Sequence, residues 1–185
     1  MIHPHTELKP INPVIGFGVF ATASIPRGTI IWSPDPLDRV LTRAELAVMP
    51  RALSFDLERY CWQRKDGRFV LAWDLARFVN HSCAPNCLTT DYGFEIVTRD
   101  IAVGEEITND YADLGMQAHE RFDCCCGEPD CRKVIVASDS DRFRRYWTNE
   151  AKAAMEEIPM VDQPLEQILS QDVLQGLGLL ERAVA

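Results

Sequence analysis

The sequence predicts a mainly β fold with α additions, assembled from several small sheets and finished by C-terminal helices. Three observations carry that expectation. Before Asp100 the apolar runs are short and bounded by Gly, Pro or Asp-Gly turn signals. The alternation of strands with long helices that builds a doubly wound sheet is missing. From Asp141 onward the apolar residues recur at helical spacing instead.

Residues 14–20 read as a strand kinked at its glycines, and Pro26-Arg27-Gly28 as a turn. Residues 29–32 form a second strand, ended by Pro34 and Pro36. Residues 42–49 and 51–60 suit short helices separated by Pro50. Asp66-Gly67 is a hairpin turn between residues 60–62 and 69–72. A second turn at Tyr92-Gly93 joins residues 88–90 to 94–97. In the tail, Phe143, Tyr146, Trp147, Ala151, Ala154, Met155 and Ile158 share a helical stripe, with Ser138 or Ser140 as cap and Pro159 as stop. Pro164 suits the first turn of a second helix with Leu165, Ile168, Leu169, Val173 and Leu177 on one side; Gly176 and Gly178 weaken its end. Such stripes most often pack onto their own chain, leaving a monomer; a dimer through these helices is the other use.

The chain has 185 residues, 46% apolar and 25% charged, enough for one domain with its own core and an appendage. No run of roughly 18 apolar residues marks a membrane span. Met1-Ile2-His3-Pro4-His5 lacks the pattern of a secretion signal. A cytoplasmic chain with no membrane partner is expected, nuclear if its source is a eukaryote. A formal charge of −9 argues against direct nucleic-acid binding, which draws on clustered Lys and Arg. It favours a basic protein or peptide partner, and serves solubility equally well. Seven cysteines, clustered as Cys124-Cys125-Cys126 with Cys131 close behind, fit metal binding in a reducing compartment rather than a disulfide frame.

Four stretches carry chemistry. Arg77-Phe78-Val79-Asn80-His81-Ser82-Cys83-Ala84-Pro85-Asn86 sets an amide, an imidazole and a thiol within four positions. Asn and His need partners for their donors and acceptors, so the pair is expected to hold something, unless it is a satisfied turn Asn beside a structural His. Cys83 and Cys87 each offer a further thiol. Gly16-Phe17-Gly18 lets backbone approach a ligand closely, or marks a β-bulge. With Ala21 three residues on, it is no dinucleotide fingerprint. Gly104-Glu105-Glu106-Ile107-Thr108-Asn109-Asp110-Tyr111 ends on a phenol. Cys124, Cys126 and Cys131 are spaced C-x-C-x4-C, tighter than common zinc-finger spacings, so they are either metal ligands or buried thiols.

In this order and at these separations the stretches resemble the SET-domain protein lysine methyltransferases that carry a post-SET zinc segment, over residues 14–134. The resemblance implies a SET fold, in which short curled sheets surround a pseudoknot-like crossing near the active site. It divides the chain into an N-terminal extension (1–13), a SET domain (14–115), a post-SET segment (116–136) and a helical tail (137–185). It implies methyl transfer from S-adenosylmethionine (SAM) to the ε-amine of a protein lysine. Such transfer requires a held sulfonium, a neutral amine and their alignment. On that resemblance Tyr111 is the catalytic tyrosine, the His81 side chain helps fix it, and Tyr60 is a second tyrosine of the lysine channel. Gly16, Phe17, Gly18, Asn80 and His81 contact SAM; Arg77 joins them or pairs with a neighbouring carboxylate. Cys83, Cys124, Cys126 and Cys131 bind one structural Zn²⁺, with Cys87 as the alternative to Cys83.

Departures from the family are visible. Asp74-Leu75-Ala76 stands where Gly-Asn is common, and Asn109 stands where many members have Phe or Tyr, a position that influences how many methyl groups fit. No cysteine-rich segment precedes Val14 and no reader domain flanks the core, so the chain resembles compact bacterial SET proteins. Two other functions stay open on the residues alone. One is a non-catalytic SET scaffold that binds basic peptides; the other is a thiol-based redox or zinc sensor built on Cys124-Cys125-Cys126.

Overall fold

The computed structural model describes residues 1–50, 57, 59–64, 66–116 and 119–179. Residues 1–13, expected as an extension ahead of the domain, are built into it. Strand β1 (Thr6–Asn12) pairs antiparallel with β2 (Gly16–Ala21), and Ile2 bridges Trp32. The polar run of β1 gave no periodic signal; its pairing with β2 holds it. Strand β3 (Ile30–Trp32) is buried throughout. After β4 (Arg39–Leu41) comes α1 (Arg43–Ala47), shorter than the expected helix over 42–49. It opens on a capping box in which Thr42 Oγ1 accepts from Glu45 N and the Glu45 carboxylate accepts from Thr42 N. Most of the helix expected over 51–60 lies outside the described residues; Leu57, Arg59 and Tyr60 are helical.

The two predicted hairpins form. Asp66-Gly67 joins β5 (Cys61–Gln63) to β6 (Phe69–Leu71) with Trp62 opposite Val70, and β4 pairs on the far edge of β6. Asp74 then caps a 3-10 turn at Leu75–Phe78, accepting from Ala76 N through Oδ1 and from Ile2 N through Oδ2. Strand β7 (Asn80–His81) follows, then the hairpin of β8 (Cys87–Thr89) and β9 (Glu95–Val97), with β3 on the other side of β9. Strand β10 (Thr108–Asn109) runs parallel to β7, with Thr108 opposite Asn80 and Asn109 opposite His81. This crossing of two distant segments was implied by the family resemblance. Strands β11 (Arg121–Asp123) and β12 (Val134–Val136) form a hairpin around the cysteine cluster.

The tail departs from expectation in detail. Helix α2 (Asp139–Met155) has Ser138 at its cap position but no side-chain cap hydrogen bond; its first turn carries Asp139 and Asp141 instead. Pro159 falls in a 3-10 turn just beyond. The second helix expected from Pro164 is broken into a 3-10 turn at Glu166–Ile168 and a short α3 (Gln171–Gly176), capped by Ser170 Oγ. Of the expected stripe, Leu165 and Leu169 are buried and Ile168, Val173 and Leu177 half-buried, while Leu174 and Leu179, outside that stripe, are buried too. The β3–β9–β8 sheet divides the core. Ile30 and Ile96 face a cluster completed by Trp147, Ala151 and Ala154 of α2. Ile31 and Val97 face the other, with Ile2, Val19 and Ile107, as the alternation of a pleated strand requires. No described helix is long and apolar enough to cross a membrane.

Candidate active site

The crossing of β7 and β10 sets the site. Parallel pairing puts His81 beside the start of Asp110-Tyr111, and Ser82 N donates to Asn109 O at 3.0 Å. Asn86 fastens the same crossing: its Nδ2 donates to Glu106 O and its Oδ1 accepts from Thr108 N, both at 2.8 Å. Tyr111 N donates to His81 Nδ1 at 3.2 Å, and Tyr111 Oη donates to Val79 O at 2.9 Å. Accepting at Nδ1 puts the imidazole proton on Nε2, which lies 3.5 Å from Cys83 Sγ. Burial, helped by the Arg132 charge, holds His81 down to about 4, so the ring is neutral. His81, Tyr111 and Phe122 pack as three mutually contacting rings, with centroids 5.3 to 5.8 Å apart. Burial pushes the Tyr111 phenol up to about 12, with Glu106 adding to the effect.

On one side of Asn80 lies the glycine strand. Asn80 Nδ2 donates to Phe17 O at 2.9 Å and to Glu106 Oε1 at 2.8 Å. A Cβ on Gly18 would stand 2.4 Å from Glu106 Oε1 and 2.7 Å from Ile11 Cδ1, so any side chain here would push those ends aside. Gly16 has φ +88°, a conformation that side chains resist.

A cavity of about 700 Å³ opens beside Tyr111. Tyr60, Arg77, Val79, Glu95, Asn109 and Phe122 share its wall. Phe78 connects the cavity to the glycine strand, its ring meeting those of Tyr60 and Phe17 edge-on.

The four thiols converge. Cys83, Cys124, Cys126 and Cys131 place their sulfur atoms within 4.8 Å of one another. Tetrahedral thiolate bonds of about 2.3 Å put sulfur atoms about 3.8 Å apart, and Cys83 and Cys124 Sγ are 3.8 Å apart. The set therefore fits one tetrahedral metal ion. Burial would raise Cys126, but the backbone N–H groups of Cys83 and Glu128 draw it down to about 7, toward the thiolate that ligation needs. Cys87 stands apart in the core, fully buried, with its thiol raised by that burial. Arg132, directly after Cys131, ties this cluster to the crossing. Its Nη2 is 2.6 Å from Asp110 Oδ2, its Nη1 3.2 Å from Asp139 Oδ2, and its Nε donates to Cys83 Sγ at 3.4 Å.

The model of the SET domain matches residues 16–112, just over half of the chain. The chain belongs to the SET-domain family. Over 135 residues this SET protein is 33% identical to Histone-lysine N-methyltransferase trr of Drosophila melanogaster, covering 66% of the chain and 5% of that protein. It is 32% identical over 130 residues to Histone-lysine N-methyltransferase, H3 lysine-36 specific, of Schizosaccharomyces pombe (63% and 16%). It is 30% identical over 152 residues to Histone-lysine N-methyltransferase ash1 of Drosophila melanogaster (76% and 7%). The chain thus spans 16% or less of the length of these relatives.

Within this SET domain the sequence-derived residues fall into three neighbouring groups. Asn80 meets Gly16, Phe17 and Gly18; Tyr111, Tyr60 and Arg77 meet at the cavity; the four cysteines meet behind His81. Neither the glycine strand nor Asn80 lines the cavity. Arg77 makes no ion pair among the described residues and lies over the Phe78 ring instead. Sequence reasoning missed Glu106, Asp110, Phe122 and Arg132. Glu106 and Asp110 lie inside a motif singled out for other residues and Arg132 directly follows one, but their partners are 22 to 26 residues away, beyond any local spacing rule.

Proposed function

We propose that this SET domain transfers a methyl group from S-adenosylmethionine to the ε-amine of a lysine in a basic protein, histones first among the candidates. The observation that carries the reading is the meeting of Asn80, His81 and Tyr111 at one parallel crossing, between a glycine-lined strand and a cavity. Gly16, Phe17, Gly18 and Asn80 would hold SAM, whose sulfonium carries the methyl group that the reaction transfers. The cavity bounded by Tyr60 and Tyr111 would receive the lysine. Tyr111 is a phenol at neutral pH, and burial moves its titration still further from that range. Its oxygen donates its proton to Val79 O and keeps lone pairs for weak C–H···O contacts with a polarised methyl. His81, neutral and bonded to the Tyr111 amide, positions that residue. Holding donor and acceptor in line is worth up to about 7–11 kcal/mol, and this chemistry needs no strong acid or metal.

Zn²⁺ is the ion that the four thiols would hold, as a structural latch with no open position. The chain's charge of −9 favours a basic partner, and the printed names of the three relatives carry the words histone-lysine.

The test is transfer of tritiated methyl from SAM to core histones and other basic proteins, with Tyr111→Phe as control. The expected result is labelled lysine from the wild type and at least a tenfold loss in the variant, with SAM affinity little changed. Absence of SAM binding by folded, zinc-loaded protein would leave a non-catalytic scaffold as the better reading.

A further inference from the structure

Strand β9 begins with a residue out of place. The pleat sends Glu95 and Val97 to the same face. Val97 there is fully buried in the cluster that holds Ile31 and Ile107, so Glu95 brings a carboxylate to an apolar face. Its backbone pairs with Trp32 on one side and Thr89 on the other, which fixes where the side chain starts. It makes no ion pair with a described residue. What surface it keeps opens into the 700 Å³ cavity that Tyr60 and Tyr111 also line. Asn109 shares that wall. It is fully buried; its Oδ1 accepts from Asp110 N at 2.7 Å, and its Nδ2 has no hydrogen-bond partner among the described residues.

A carboxylate half-buried in an apolar wall with no cation among the described residues paired to it, and a fully buried amide whose Nδ2 closes no hydrogen bond with them, are expensive to keep. Burial raises Glu95 to about 7; the Asn109 amide counters this in part although it closes no hydrogen bond of ordinary geometry, and the Asp113 charge adds to it. A cationic guest in the cavity would satisfy the carboxylate. It would donate N–H bonds to the carboxylate, beside which the Asn109 amide already stands.

We propose that Glu95, steadied by Asn109, is the receptor for the substrate's ammonium group inside the cavity. This deepens the reading of the cavity as the lysine channel and rests on it. The role is recognition: Glu95 accepts N–H bonds from the side chain as it enters and fixes the nitrogen's position before the proton is lost to solvent. An amine that has lost its N–H bonds to methylation loses this contact, so the site prefers unmethylated and monomethylated lysine to trimethylated lysine.

The experiment compares the full zinc-loaded chain with its Glu95→Gln and Asn109→Ala variants at pH 8.5, where the carboxylate is ionised. Methyl transfer to core histones gives KM and kcat, calorimetry gives SAM affinity, and thermal melts report folding. Glu95→Gln keeps the shape and removes the charge. Loss of a charge-assisted contact should raise KM about tenfold, with kcat within about threefold. SAM affinity should stay within twofold and the melt should not fall. Asn109→Ala should raise KM by a smaller factor. A Glu95→Gln variant with wild-type KM overturns the inference and leaves the methyltransferase reading standing. A Glu95→Gln variant that no longer folds also overturns it, because the carboxylate is then structural. A wild type that binds SAM but methylates no basic protein removes both.

Discussion

Arg132→Met tests how the cysteine segment is fastened to the crossing. In the native chain the Arg132 side chain is 12% exposed, and it faces Asp110 and Asp139 carboxylates that are 3% and 11% exposed. Its ring-facing side lies over Phe143, 5.0 Å from the centroid. Exposure is too small for solvent to screen these pairs. Removing one partner of a buried ion pair costs about 3–5 kcal/mol, because the remaining charge stays buried. For a domain of this size each kcal/mol moves the melting temperature by about 2–4 °C, so a fall of roughly 10 °C is expected. The pH dependence has a definite sign. Burial already raises Asp110 against the pull of Arg132. Without the guanidinium its carboxyl rises further, so the native state binds more protons than the unfolded state above the ordinary carboxylate range. Stability then falls as pH rises. The deficit of Arg132→Met against wild type should therefore grow between pH 5 and pH 8. Circular-dichroism melts on protein of confirmed metal content measure it, with Arg132→Lys, which keeps the charge without the planar fork, recovering part of the loss. A deficit under 2 °C, or one that shrinks as pH rises, would refute the reasoning.

Other outcomes follow from the same geometry. Gly18→Ala should weaken SAM binding at least tenfold by calorimetry and cost about 1–3 kcal/mol, because its Cβ would displace Glu106 and Asn80. Cys131→Ser, or chelation of the wild type, should lower both the melting temperature and methyl transfer, while the same change at Cys125, which is exposed and outside the cluster, should leave both near wild type. Glu95 has its folded pKa raised to about 7, so its carboxylate costs stability as pH climbs through the interval from its usual value. Glu95→Gln should match the wild type's melt near pH 4 and exceed it at pH 8 by about 3 kcal/mol, the equivalent of that shift; equal melts at pH 8 would show that the side chain is not buried as described.

Much of the architecture was legible in the sequence where local chemistry dictates it. Asp66-Gly67 and Tyr92-Gly93 announced two hairpins, and the stripe from Phe143 to Ile158 announced α2. Strand β1 was not legible, since Thr6-Glu7-Leu8-Lys9-Pro10 has no apolar alternation and is held by its partner. The pairing of β7 with β10, two residues each, was reached only through the family resemblance, because parallel bridges between distant segments leave no mark on spacing. The break in the second tail helix was misread for a specific reason. Pro164 opens a helix and a loop equally well, and Ser170, the true cap, sits mid-stripe. At the candidate site, the residues that the sequence singled out by distinctive chemistry, Asn80, His81, Tyr111 and the four thiols, are brought close together by the fold. Those acting through partners far along the chain, Glu106 and Arg132, were hidden because an acid or an arginine has many ordinary uses. Glu95 was visible as one carboxylate between Phe94 and Ile96, but a strand end at the surface would read the same way.

The weakest element near the site explains why so many groups meet there. Strands β11 and β12 contribute three residues each, and a two-stranded hairpin of that size is marginal alone. Yet this hairpin carries Phe122, which packs on His81 and Tyr111, and it encloses three of the four thiols. Its position must be fixed by something other than its ladder. The fourth thiol, Cys83, comes from the crossing, so an ion held by the four would join hairpin to crossing directly. Arg132 makes the same connection through Asp110, and extends it to α2 through Asp139. Two ties, linked to each other where Arg132 donates to Cys83, converge on the Asp110-Tyr111 dipeptide, one through the His81 ring and one through a carboxylate. Loosening either tie should move Tyr111 relative to the cavity without touching it, so losses of activity at Arg132 and at the thiols should be less than additive.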